Sequence, residues 1–165
     1  MTRSRKTDQL QIRVTQEQKS RIRRASRRAG VGMSAWILER LLPSRAEEFR
    51  ALVAELAAGG DRRLVLAGLS DFLTSLGPRE YAEAVADPPP AGLDPLDANQ
   101  LAAMVELAAS RLGQIPPGWT ARIDGLRRPW FASQLASLRL HLLTASPPPF
   151  RRRNIFVDAT LGDRA

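Results

Sequence analysis

The stretch LQIRVTQEQ, residues 10–18, changes its pattern at Thr15. Up to Val14 apolar and polar residues alternate, which is typical of a β-strand with one buried face. Thr15 followed by Gln18 has the spacing of a capping box, which predicts that a helix begins at Gln16. A lone strand leaves its backbone N–H and C=O groups unpaired, and the rest of the chain shows no second strand pattern. The strand therefore needs a partner from elsewhere.

Two helices of different character are predicted after the strand. One side of the first carries apolar or small residues: Ile22, Ala25, Ser26 and Ala29. The other side carries arginines: Arg21, Arg23, Arg24, Arg27 and Arg28. Gly30 supplies the positive φ that ends this helix. Ser34 is the predicted cap of a second helix, apolar on almost all sides, which Pro43 ends.

A segment this short cannot bury its own apolar faces. A homodimer solves this problem together with the unpaired strand, because two copies of the strand can form an antiparallel ribbon enclosed by four helices. The predicted dimer core consists of Leu10, Ile12, Val14, Ile22, Met33, Trp36, Ile37 and Leu41.

Residues 8–43 combine an alternating strand, a capped helix, an AG turn and a second helix, SAWILERLL. This pattern resembles the ribbon-helix-helix family of bacterial and phage regulators, the Arc, MetJ and CopG type. The resemblance implies that the outward side chains of the ribbon, Gln9, Gln11 and Arg13, enter the major groove of double-stranded operator DNA. Arginine can bridge O6 and N7 of guanine, and glutamine can pair with N6 and N7 of adenine. The alternative is that these polar side chains only face water.

Phosphate contacts are expected at two places. The resemblance puts the start of the second helix against the DNA backbone, so that the N–H groups of Ser34 and Ala35 would hold a phosphate. Residues 1–7 are expected to form a flexible basic arm whose phosphate contacts are Arg3, Arg5 and Lys6. The distribution of charge agrees with DNA binding by this segment, because residues 1–45 contain 12 Lys and Arg against 3 Asp and Glu. The remaining residues have a net charge of −1.

Residues 44–165 are predicted to form an α-helical, partner-binding domain, which makes the whole chain mainly α. A Pro-rich connector spans residues 86–97. Helical periodicity with polar or glycine ends is found at residues 44–60, 61–77, 97–113 and 132–146.

Five of the nine aromatic residues lie among prolines in the last third of the chain: Trp119, Trp130, Phe131, Phe150 and Phe156. They can form the core of a small irregular domain or bind a partner protein, and the core interpretation is favoured. Arginines beside them would also suit stacking on nucleic acid, but the near-neutral charge after residue 45 argues against this.

The motifs PGWT, PWF and FRRRNIF in this region are similar to a module of bacterial regulators encoded beside toxin genes. The neighbouring toxin there often resembles a nucleotidyltransferase. Together with the first resemblance, this implies a type II antitoxin, which represses its own operon and neutralises a partner toxin through residues 44–165. Its dimers could join into higher oligomers on adjacent DNA half-sites.

Two other functions stay open. One is a stand-alone repressor whose helical domain senses a ligand or sets the oligomeric state. The other is an enzyme, but no nucleophile–base pair, glycine-rich phosphate loop or metal-ligand spacing is found. The acids Glu80, Glu83, Asp97, Glu106 and Asp124 have the scatter of ordinary helix surfaces. We therefore expect no catalytic residue and no cofactor.

Cysteine is absent and His141 is the one histidine, which excludes disulfides, zinc–thiolate sites and histidine-rich metal sites. Apolar runs stay far below the ~18 residues of a membrane span, and no apolar segment follows the basic MTRSRKTD start. The expected location is the bacterial cytoplasm, on the nucleoid.

Overall fold

A computed structural model describes residues 11–158 and divides the chain between Pro43 and Ser44. The division falls where the excess positive charge ends. The described chain is mainly helical, as predicted. None of the helices within residues 11–158 is long and apolar enough to cross a lipid bilayer.

The first unit contains helices α1, Gln16–Arg28, and α2, Met33–Leu41. The predicted capping box is confirmed: the Gln18 N–H donates to Thr15 Oγ1 at 3.2 Å, and the Thr15 N–H donates to Gln18 Oε1 at 2.8 Å. Residues 11–14 carry no regular secondary structure in the single chain. Predicted site residues that lie outside the described part of the chain are Arg3, Arg5, Lys6, Gln9 and Leu10.

A tight turn joins the two helices. Gly30 takes the predicted positive φ of 68°, and the N–H groups of Gly30 and Val31 donate to the carbonyls of Arg27 and Ser26, both at 3.2 Å. These are the two bonds of a Schellman motif. The prediction that Ser34 caps α2 is wrong. Extended Gly32 is the N-cap, so Ser34 lies inside the first helical turn.

The second unit begins with helices α3, Arg45–Ala57, and α4, Arg62–Ser75, close to their predicted positions. Helix α5, Pro78–Ala84, was not predicted. Helix α6, Pro95–Leu112, begins two residues before its predicted start, because Asp94 caps it and proline is tolerated in the first turn.

The end of the second unit is irregular. Only residues 136–145 of the helix predicted at 132–146 are helical, as a 3₁₀ turn, Ala136–Leu138, followed by α7, Arg139–Ala145. A short helix α8, Pro148–Arg151, comes next. Strands β1, Trp130–Phe131, and β2, Ile155–Phe156, pair in parallel.

Helices α3 to α6 enclose the main apolar interior of this unit, in which the rings of Phe49 and Phe72 stack 5.9 Å apart. A smaller cluster lies between α6, α8 and β2. Its buried members are Ala103, Phe150, Ile155 and Val157. The unit therefore has a core of its own.

Candidate nucleic-acid interface

The apolar side chains of residues 11–43 are left open in the single chain. Ser26 is the only buried residue in this range. Ile12 is 53% exposed and Leu41 is 62% exposed. The other described members of the predicted dimer core are exposed or half-buried: Val14, Ile22, Met33, Trp36 and Ile37. A single copy of this unit therefore has no apolar core.

Basic side chains dominate the surface of the same unit. Residues 11–43 contain eight Lys and Arg and two Glu, and all ten side chains are exposed. The predicted base-contacting residues Gln11 and Arg13 are exposed as well. The guanidinium of Arg40 lies 4.5 Å from the ring centroid of Trp36, so it covers part of that half-buried ring.

The two helix N-termini of this unit differ in their caps. At the start of α1 the Thr15 hydroxyl accepts a hydrogen bond from the Gln18 N–H, whereas α2 has no side-chain cap. The first-turn N–H groups of Met33, Ser34 and Ala35 have no acceptor within the helix. The helix dipole adds partial positive charge at this end, which suits an anion such as a phosphate.

The aromatic residues of the second unit occupy two kinds of environment. Trp119, Phe150 and Phe156 are buried, and the indole N–H of Trp119 donates to the Val85 carbonyl at 2.9 Å. These three belong to the interior, so they offer a partner almost no surface. Trp130 and Phe131 are half-buried.

Arginines cover the two half-buried rings. Arg62 lies 5.6 Å from the ring centroid of Trp130, and Arg139 lies 5.4 Å from that of Phe131. Phe131 also stacks on Phe156, with ring centroids 4.9 Å apart. The FRRRNIF and PWF motifs thus meet in one small sheet.

Arg153 is the most enclosed charge of the second unit. Its two terminal nitrogens donate to Asn99 Oδ1 at 3.2 Å and Glu106 Oε1 at 2.6 Å, and to the Ile123 and Thr120 carbonyls at 3.1 and 2.7 Å. Its Nε is buried and has no hydrogen-bond partner. The guanidinium therefore joins α6 to the loop before β1.

The expectation that Glu106 and Asp97 are ordinary surface acids is wrong. The side chain of Glu106 is 12% exposed and pairs with Arg153. Asp97 pairs with Arg62 and is similarly enclosed. The setting of Glu106, in the apolar run AAMVELAAS, was the available sequence signal.

Tyr81 lies close to the same acid. Its hydroxyl donates to the Val105 carbonyl at 2.9 Å. Burial, together with the negative charge of Glu106, raises the pKa of Tyr81, so the hydroxyl stays a donor. Apart from Arg153 Nε, the buried polar atoms of Tyr81, Glu106 and Arg153 have partners inside the fold, which marks the cluster as structural.

Comparison with known proteins finds no matching family model, no matching curated protein and no matching solved structure.

Proposed function

We propose that the chain is a ribbon-helix-helix antitoxin: a homodimer that binds operator DNA through residues 8–43, represses its own operon and neutralises a toxin through residues 44–165. One observation carries the proposal. None of the apolar side chains that residues 11–43 contribute to the expected dimer core is buried, and the same unit carries eight exposed basic residues.

The open apolar surface supports the dimer. Burial of apolar surface stabilises by about 25 cal/mol per Å², and a domain without a buried core lacks this contribution. If residues 11–14 form the proposed strand, Ile12 and Val14 lie on one face of it, and a second copy can cover that face with its own strand and α2. Two copies pairing through identical surfaces form a closed, two-fold assembly.

Charge and the helix ends support the nucleic-acid part. A compact surface with eight basic and two acidic side chains attracts polyanions. The uncapped start of α2 offers N–H groups to a phosphate, while Gln11 and Arg13 offer side chains that can read base edges. Recognition of the DNA bases and contact with the DNA backbone would then come from different parts of the unit.

Replacing Arg13 by alanine should cost about 1–3 kcal/mol in binding to the chain's own promoter DNA, because a guanine contact is lost in each half-site. Binding to a scrambled duplex should change much less. Electrophoretic shift assays at several salt concentrations measure both affinities.

Arg24→Ala is the matched control, because it removes another exposed arginine, from the outer face of α1. This change should weaken binding to both duplexes by the same factor and reduce the salt dependence of that binding. Equal effects of Arg13→Ala on promoter and scrambled DNA would contradict the assignment of Arg13 as a base-contacting residue.

Co-expression tests the antitoxin function. The full-length chain should bind the product of the adjacent gene and relieve its toxicity, whereas residues 1–45 alone should bind DNA without giving relief. Growth curves and co-purification measure the two results. If the full-length chain neither binds that product nor restores growth, the antitoxin function fails and a stand-alone repressor replaces it.

A further inference from the structure

A run of exposed leucines stands out in the second unit. Leu135, Leu138, Leu140 and Leu143 are all exposed, and of α7 only Leu142 is buried. We call residues 135–143 the leucine segment. Soluble proteins rarely group large apolar side chains on an exposed surface unless a partner covers them.

The charge around the leucine segment is mainly positive, although Asp158 Oδ2 lies 3.5 Å from Nε2 of His141 within the segment. Residues 125–157 contain six arginines and no Asp or Glu, although the second unit as a whole is near neutral. Arg153 is buried, which leaves five exposed arginines, of which Arg152 already contacts Glu106: Arg127, Arg128, Arg139, Arg151 and Arg152. Arg139 belongs to the leucine segment, and its guanidinium reaches the ring of Phe131 in β1. The apolar and basic side chains therefore occupy neighbouring parts of the fold.

We infer that the leucine segment is the docking surface of the second unit and that it takes an acidic amphipathic segment of the partner protein. Apolar side chains of that segment would cover Leu140 and Leu143, and its carboxylates would meet Arg139 and the arginines before β1. This inference rests on the proposed function, and it replaces the aromatic cluster as the partner surface because three of those five aromatics are interior.

Charge and chemistry favour this occupant over two others. A second copy of the unit would bring two arginine-rich surfaces together, each with Asp158 beside His141 as an acid, and like charges at an interface are unfavourable. Nucleic acid would satisfy the arginines, but a phosphate backbone leaves four leucines exposed, and protein–DNA interfaces are polar. An acidic amphipathic protein segment satisfies both kinds of side chain.

The test uses the full-length chain and the purified product of the adjacent gene, with affinities measured by calorimetry. Leu140→Asp should weaken binding at least tenfold, because it puts a carboxylate where the partner is apolar and acidic. Arg139→Glu should weaken it by a similar factor. Leu64→Asp is the matched control, since Leu64 on α4 is 71% exposed and Leu140 is 73% exposed. It should leave binding within twofold of the original chain.

Circular dichroism checks that the variants fold, and the results separate this inference from the proposed function. If the unmodified chain binds and folded Leu140→Asp and Arg139→Glu bind equally well, the docking surface is wrong while the antitoxin function stands. If the unmodified chain does not bind the product of the adjacent gene, both the proposed antitoxin function and this docking surface are wrong. A variant that keeps partner affinity but loses a higher oligomer, or loses DNA affinity, would show that a second copy or nucleic acid occupies the leucine segment instead.

Discussion

Ile12→Asp is expected to convert the protein from a dimer into monomers in which α1 and α2 are largely unfolded. In the proposed dimer two copies of Ile12 lie in one small core, so the substitution places two unpaired carboxylates there. Burying an unpaired charge costs several kcal/mol, and about 1.4 kcal/mol corresponds to a tenfold change in an equilibrium constant. We expect the dimer to weaken at least a thousandfold. Sedimentation over a concentration series measures the change.

Gln11→Asp is the matched control, because it introduces the same carboxylate one residue earlier, on the opposite face of the proposed strand. It should leave the dimer intact and reduce DNA binding, since the new charge faces the phosphates. If both variants stayed dimeric, with α1 and α2 intact, Ile12 would not belong to a dimer core.

Arg153→Ala is expected to destabilise the second unit by about 3–5 kcal/mol, which is typical of breaking a buried ion pair. The change leaves Glu106 enclosed without its main partner and removes the donors for Asn99 Oδ1 and the Thr120 carbonyl. A unit of this size has a total stability of about 5–15 kcal/mol. Denaturant unfolding followed by tryptophan fluorescence measures the loss.

Arg152→Ala is the matched control for this prediction. Arg152 neighbours Arg153 and contacts the same carboxylate, but at 3.4 Å and with a side chain that is 70% exposed. Its removal should cost less than about 1 kcal/mol. The double change Arg153→Met with Glu106→Leu should recover part of the loss, because no unpaired charge is left behind. Similar losses of unfolding free energy for Arg152→Ala and Arg153→Ala would contradict the proposal that burial makes the Arg153 ion pair more important.

The elements predicted best from the sequence are those with local causes. The capping box of Thr15 and Gln18 sets the start of α1, and the amphipathic runs of α3 and α4 are continuous over more than three turns. Ser34 misled the prediction because serine and glycine both serve as N-caps. The turn after Gly30 brings Gly32 rather than Ser34 to that position, and the residue types alone do not reveal this.

The elements that were missed depend on distant contacts. Strands β1 and β2 have two residues each and pair across 25 positions, as Trp130 with Ile155, which is too short for a periodic pattern. Glu106 and Arg153 meet across 47 positions. The proposed DNA-contacting side chains were chosen from their chemistry, and in the proposed dimer their placement depends on a second copy of the chain.

In the proposed homodimer, two chains join through the segment before α1. Full-length protein mixed from isotope-labelled and unlabelled chains tests it most directly, by isotope-filtered nuclear Overhauser spectroscopy combined with light scattering. We expect twice the 18.2 kDa mass of one chain, with interchain contacts between the side chains and amides of residues 11–14. A mass of 18.2 kDa with α1 and α2 folded, or a dimer without interchain contacts at residues 11–14, would contradict it.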